Sequence, residues 1–184
     1  GSSAQPGVSQ VTLPSSPGGV SYTEKLWTTN SRNVDGLLTQ ATLGSGEILT
    51  RTYNPDTGRL LTMTSGSALS LGYGYDFEGK VVRRDDNLQN HQDTFYYDDG
   101  SLHRLTQWVR TPKAGALRNV VYQYDNLGNL TQIHAGGLLK ELNVYGEDQR
   151  PHTLTSNYGG AYIYDDRGRQ ILAPGRQVAY TEFD

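Results

Sequence analysis

The sequence predicts an all-β chain made of tandem antiparallel β-hairpins, and three observations carry that prediction. A short motif, an aromatic residue followed by Asp or Asn and then by Gly, recurs along the chain. The residues flanking it alternate between apolar and polar with the period of two that marks a half-buried strand. Composition agrees: of 184 residues, 22 are Gly and 13 are Tyr, against three Phe and two Trp, and only 35% are hydrophobic. A Tyr ring covers apolar surface while its hydroxyl keeps a polar partner, which suits half-buried sheets better than a thick core.

The clearest copies are Tyr53-Asn54-Pro55-Asp56-Thr57-Gly58, Tyr75-Asp76-Phe77-Glu78-Gly79 and Tyr97-Asp98-Asp99-Gly100. Tyr124-Asp125-Asn126-Leu127-Gly128 and Tyr164-Asp165-Asp166-Arg167-Gly168 continue the series. Tyr145-Gly146-Glu147-Asp148 is a degenerate copy, and Phe183-Asp184 reads as the opening of another. Steps from one aromatic to the next are 22, 22, 27, 21, 19 and 19 residues. That period is short for a helical solenoid but holds two strands of about six residues and two turns. Leu71-Tyr73-Tyr75, Val120-Tyr122-Tyr124 and Tyr162-Tyr164 form the incoming strands. Leu60 to Thr64, Val81-Val82-Arg83 and Leu130 to His134 form the return strands. Asp or Asn can bond backbone N–H groups two residues on, and Gly is expected to supply the positive φ of each hairpin tip.

Elsewhere the pattern is weaker. Residues 1–20, with Pro6, Pro14 and Pro17 among Ser and Gly, read as a flexible leader, and Gly1-Ser2-Ser3 as a cloning remnant. The hairpin array is expected over 21–184, with Tyr22 to Thr28 and Leu37 to Thr42 as its first strands. Leu138 to Leu142 suits a strand or one turn of helix equally.

Charge and motif content narrow the chemistry. The formal net charge is −3, and Lys80, Arg83 and Arg84 are followed at once by Asp85 and Asp86. That is a poor electrostatic footprint for nucleic acid or an anionic membrane, and no apolar run approaches the ~18 residues of a membrane span. There is no Cys, hence no disulfide, thiolate metal site or Cys nucleophile. Gly74 to Lys80 has the outline of a phosphate loop, but Val81 stands where Ser or Thr would hold Mg²⁺. The acidic pairs Asp85-Asp86, Asp98-Asp99 and Asp165-Asp166 lack EF-hand spacing. His91, His103, His134 and His152 are far apart in sequence, and no Gly-x-Ser-x-Gly elbow is present. Neither a catalytic residue, a cofactor nor a metal is therefore expected. The tyrosines serve as cross-strand glue between repeats, or alternatively as a stacking platform for sugars. Asn129-Leu130-Thr131 forms a glycosylation sequon inside the repeat.

The repeat, Tyr-x-Tyr-Asp-x-x-Gly-Arg/Asn-Leu at this spacing, resembles the YD repeat of Rhs proteins, the Tc-toxin C component and teneurins. Gly58-Arg59-Leu60 and Gly128-Asn129-Leu130-Thr131 keep the part after the turn. Thr94 to Asp98 followed by Leu102-His103-Arg104-Leu105-Thr106 is similar to a Tyr-Asp-x-Leu-x-Arg-Leu variant lengthened around Asp99-Gly100. Pro151 to Ser156, and Arg176 to Phe183, are similar to segments of bacterial Rhs proteins. The resemblance covers about 22–184 and implies a curved, spiralling sheet forming part of a YD-repeat shell. It further implies a secreted or cell-surface bacterial protein whose β-cocoon wall encapsulates a toxic C-terminal domain. The partners it implies are adjacent repeats of a parent chain and the enclosed toxin, and open strand edges add self-association. The family's terminal core with its autocleavage segment is not matched, so no self-proteolysis is assigned. The alternative is a recognition module for glycans or a receptor.

Overall fold

The computed structural model describes residues 10–12, 25–100, 102–146 and 150–181, and among them every regular element is a β-strand. Contacts divide the chain into two compact units, one of Gly1–Asp93 with Pro112–Ala114, the other of Thr94–Thr111 with Gly115–Asp184. The first unit holds β1 (Gln10–Thr12), β2 (Lys25–Arg32), β3 (Leu38–Leu43), β4 (Ile48–Tyr53), β5 (Leu60–Ser65), β6 (Leu69–Tyr75) and β7 (Val81–Asp86). Strand β8 (His91–Tyr97) contains the dividing line. The second unit holds β9 (Leu105–Pro112, its last residue assigned to the first unit), β10 (Arg118–Tyr124), β11 (Leu130–Ala135) and β12 (Leu138–Leu142). Two three-stranded sheets follow: β13 (Val144–Tyr145), β14 (Leu154–Asn157) and β15 (Gly160–Ala161), then β16 (Ile163–Tyr164), β17 (Gln170–Ala173) and β18 (Arg176–Gln177).

Within each unit the strands pair antiparallel in chain order, β1 through β7 in the first and β9 through β12 in the second. The all-β hairpin architecture read from the sequence is thus the observed one. Within the stretch read as leader, Gln10–Thr12 form β1 against β2, and the rest of that stretch lies outside the described residues. Leu138–Leu142 resolves as strand β12, and the phosphate-loop lookalike as β6, a turn and β7.

Register sets two unlike faces, because cross-strand partners share a side of the sheet. In the first unit one face carries Thr42, Thr50, Thr64 and Ser70, with Thr52 opposite Thr62. The other carries Trp27 opposite Leu43, Ala41 opposite Leu49, Met63 opposite Leu71, and Tyr73. The register slips just before the first residue of five copies, at Thr52/Tyr53, Gly74/Tyr75, Gln123/Tyr124, Val144/Tyr145 and Ile163/Tyr164. Each slip is a β-bulge that leaves one return-strand residue, such as Leu61 or Thr131, without a direct partner and sharpens the local twist. The Thr131 hydroxyl uses the space to donate to the Gln123 carbonyl at 3.1 Å.

Among the described residues no hydrophobic core is enclosed. Ala41 is the one buried hydrophobic residue among those described, and the buried polar residues are Ser65, Asp93 and Asn129. Asp93, fully buried, is bound by Arg84 through Nη2 at 2.6 Å and Nε at 3.2 Å. The sheet therefore depends on hydrogen bonds and edge-to-edge packing more than a globular domain does.

Candidate functional site at the hairpin tips

The repeated structure is the hairpin tip. At Tyr75-Asp76 the Asp76 N–H donates to the Lys80 carbonyl (3.0 Å), and the Gly79 N–H reaches the Asp76 carbonyl (3.2 Å). The Asp76 Oδ1 accepts from the N–H groups of Glu78, Gly79 and Lys80 at 2.9–3.0 Å, so one carboxylate oxygen satisfies the inside of the turn. Oδ2 faces Lys80 Nζ at 3.2 Å, and Lys80 also meets Glu78. Asp125 and Asp165 repeat the arrangement, with Oδ2 held by Asn129 Nδ2 at 2.7 Å and Arg169 Nε at 2.8 Å. At Tyr53 the neutral Asn54 does the same work, its Oδ1 accepting from Asp56 and Thr57 at 2.9 Å.

Gly58, Gly79, Gly128 and Gly168 hold φ of 68°, 96°, 89° and 82°. The lengthened Tyr97 tip differs. Asp98 Oδ1 accepts from Arg104 N–H at 2.9 Å, and the positive φ of 45° falls on His103, the residue just before Arg104. Gly100 does not carry the positive φ expected of it; its carbonyl accepts the His103 N–H at 3.1 Å. The inserted residues move the left-handed position away from Gly100, because it follows the residue that closes the turn. The degenerate copy closes through Gly146 N–H to the Thr153 carbonyl (2.7 Å).

Successive tips are tied by two kinds of bond that the sequence did not reveal. First, the Tyr hydroxyl of one hairpin donates to the carbonyl of the first residue of an earlier return strand. Tyr53 reaches Leu38, Tyr75 reaches Leu60 and Tyr124 reaches Leu105, each at 2.8 Å, and Tyr145 reaches Leu130 at 3.0 Å. Second, the side chain just after the turn reaches forward to a backbone carbonyl of the next tip. Arg59 donates to Asp76 (3.3 Å), Arg104 to Asp125 (3.0 Å), Asn129 to Pro151 (2.8 Å) and Arg150 to Asp165 (3.2 Å). Arg59 and Arg104 also lie 5.8 and 5.0 Å from the centroids of the Tyr75 and Tyr124 rings, within cation–π range.

Two further tips lie where the motif is hard to see. Asn33 to Leu37 forms a complete tip, with Asn33 N–H to Leu37 carbonyl at 2.9 Å and Leu37 N–H to Asn33 Oδ1 at 2.8 Å. Arg32 stands there in the aromatic position, and the only sequence signal is Asn-x-x-Gly 21 residues before Asn54. At the other end the Tyr180 hydroxyl donates to the Gln170 carbonyl at 3.0 Å, with Arg169 4.3 Å from its ring centroid. Tyr180 thereby makes the rung at this end; Phe183-Asp184, read from the spacing as the opening of another copy, lies outside the described residues.

The histidines lie on different elements. His152 Nδ1 lies 2.7 Å from Asn129 Oδ1 at a tip, and His91 Nε2 lies 3.7 Å from Asp93 Oδ2. His134 sits on β11 and His103 in its turn. Among the described residues no group of three His, Asp or Glu side chains is placed to hold a metal ion. Asn129 of the sequon is 8% exposed with its amide nitrogen bound to Asp125 and Pro151, which closes it to glycan attachment in the folded chain.

Electrostatics follow the geometry. At Asp76 desolvation works against ionisation, but hydrogen bonds from Lys80 and Gly79 and the Lys80 charge outweigh it and hold the carboxyl below its usual range. Asp98, Asp125 and Asp165 are held low chiefly by Arg104, by the Asn129 side chain and by the Arg169 N–H. Desolvation pushes the Tyr75, Tyr124 and Tyr145 hydroxyls up, keeping them protonated donors.

No family model and no curated relative matches the chain. Solved structures do. Over 80% of this chain it is similar, at 17% identity and a TM-score of 0.60, to a chain of the Photorhabdus luminescens Tc holotoxin pore with a mutated TccC3. It is also similar, over 80% at 16% identity and TM-scores of 0.59 and 0.57, to TcdB2-TccC3 without the hypervariable C-terminal region and to TcdB2-TccC3-Cdc42. The fold is shared with these Tc toxin chains. This chain spans about a tenth of their length.

Two outcomes follow. An added Cβ at Gly79 would stand 2.5 Å from Arg59 Nη2, whereas at Gly36, with φ of 80°, it meets nothing within 4 Å. Gly36→Ala is expected to cost the backbone term alone, about 1–2 kcal/mol. Gly79→Ala should cost about 1 kcal/mol more because the Arg59 bond is displaced, as urea midpoints at constant m will measure. For acid, carboxyls whose folded pKa is depressed contribute stability that is present above the unfolded value of about 3.9 and lost as pH falls through the folded pKa. Stability measured against pH should be level above about 5 and fall below about 4, and Asp76→Asn should flatten that fall.

Proposed function

We propose that this chain is a non-catalytic wall segment of a secreted bacterial YD-repeat toxin, part of a shell around a toxic C-terminal domain of a longer parent protein. The observation that carries the reading is a sheet that buries a single hydrophobic residue, Ala41, among those described, while its tips are bonded one to the next. A globular enzyme or small-molecule receptor needs an enclosed core to shape a site, and a wall needs neighbours held in register. The likeness to Tc toxin chains supports this at the level of fold. The test is protease protection of the C-terminal domain in the parent protein. Removing residues 25–181 should expose that domain to digestion, and unchanged protection would refute the wall role.

A second reading has one observation in its favour. A cleft of about 240 Å³ between consecutive tips is lined by Asn54, Thr57, Arg59, Tyr73 and Tyr75, a mixture of aromatic and polar groups of the kind that binds sugars. Saturable quenching of Tyr and Trp fluorescence by glycans, lost in Tyr73→Ala, would favour the recognition module. A flat titration would leave the wall.

A further inference from the structure

We infer that the β9–β10 loop is a proteolytic processing site, cut between Lys113 and Ala114 by a serine protease that selects a cationic side chain. This goes beyond the wall reading and does not depend on it. The loop is where the repeat is longest: the step from Tyr97 to Tyr124 is 27 residues, against 22 before it and 21 after. The lengthened Tyr97 tip takes up only part of the excess. The remainder is shared by β9, eight residues long against six in β5, β7 and β11, and the loop between β9 and β10, at the end of the hairpin opposite the Tyr-Asp tips.

Cleavage requires an accessible cation on backbone that can be drawn out extended into the protease cleft. Residues 113–118 are all exposed, and strand pairing of β10 with β9 begins only at Arg118 with Arg110. Among the described residues, the only backbone bond from 113–117 outside the strands is Lys113 N–H to the Asn90 carbonyl at 2.8 Å. A Cβ added at Gly115, with φ of 104°, would meet nothing within 4 Å, so that position is open. Ala114, Gly115 and Ala116 offer small side chains to the leaving-group side of the cleft.

The other cations are less available. Lys25, Arg32, Arg51, Arg83, Arg84, Arg110, Lys140 and Arg176 lie on strands, and Arg118, at the start of β10, is already paired with Arg110. Lys80 and Arg169 are ion-paired with Asp76 and Asp165 in their tips. Arg59, Arg104 and Arg150 are tied to the next tip. Arg167, in a tip, is pinned by its N–H to Asp165 Oδ1 at 3.0 Å. Hydrolysis adds one water across the Lys113–Ala114 amide and leaves a carboxylate on Lys113 and an ammonium on Ala114. Both new charges stand in solvent, and none of the Tyr-hydroxyl or Arg-carbonyl bonds between tips involves the loop.

The experiment is limited digestion of the intact folded chain with trypsin, with products identified by mass and strand content followed by circular dichroism. Among cuts from Arg32 onward, the first should yield fragments ending at Lys113 and beginning at Ala114, at least about tenfold faster than any other, because other sites need local opening. Lys113→Gln should abolish that cut with an unchanged spectrum, and the nicked chain should keep its strand signal. A first cut at Lys140 or Arg167, simultaneous breakdown to small peptides, or loss of strand signal on nicking would each overturn the proposal.

Discussion

The structure depends on a hydrogen bond between a Tyr hydroxyl and a backbone carbonyl one hairpin back. A sheet that, among its described residues, buries a single hydrophobic side chain cannot rely on area removed from water in the way a globular domain does. Its hairpins must be held to one another at points where register could slip. The carbonyl at the start of the return strand is such a point, since the bulge beside it breaks the regular ladder. Tyr75 and Tyr124 place a desolvated phenol there, and the low dielectric both strengthens the bond and raises the hydroxyl pKa. One side chain thus packs as an aromatic and pins the strand as a donor.

Around that bond the other motif residues acquire separate reasons. Asp or Asn folds the turn by accepting N–H groups on one oxygen. The left-handed position after it lets the previous tip approach closely, as Arg59 does over Gly79 and Leu102 over Gly128. Arg or Asn after the turn reaches forward to the next tip while Tyr reaches back. A cation is favoured in that place because it meets both a carbonyl and a Tyr ring.

Much of the fold was legible in the sequence because turn chemistry and period-two alternation are local. The return strands at Leu60, Val81 and Leu130 begin where the Gly spacing placed them. The ties between tips were less legible. Their acceptors are backbone carbonyls, which every residue has, so Leu38 or Leu105 carries no mark of being one. The bulges were hidden for a related reason: a slip of one residue changes the face of everything beyond it, and alternation read along one strand cannot register the slip. Asn33 was missed because Arg32 replaces the aromatic, and Gly100 was given a role that belongs to His103 because composition located the Gly but not the end of the longer turn.

The central claim is that, within each unit, the tips couple neighbouring hairpins, so that losing one hydroxyl is felt beyond its own turn. Hydrogen exchange followed by mass spectrometry on Tyr124→Phe measures this most directly. The account predicts faster exchange together in β9, β10 and β11, because the bond from Tyr124 to the Leu105 carbonyl joins them. Faster exchange confined to residues 124–128, with β9 protected as before, would contradict it.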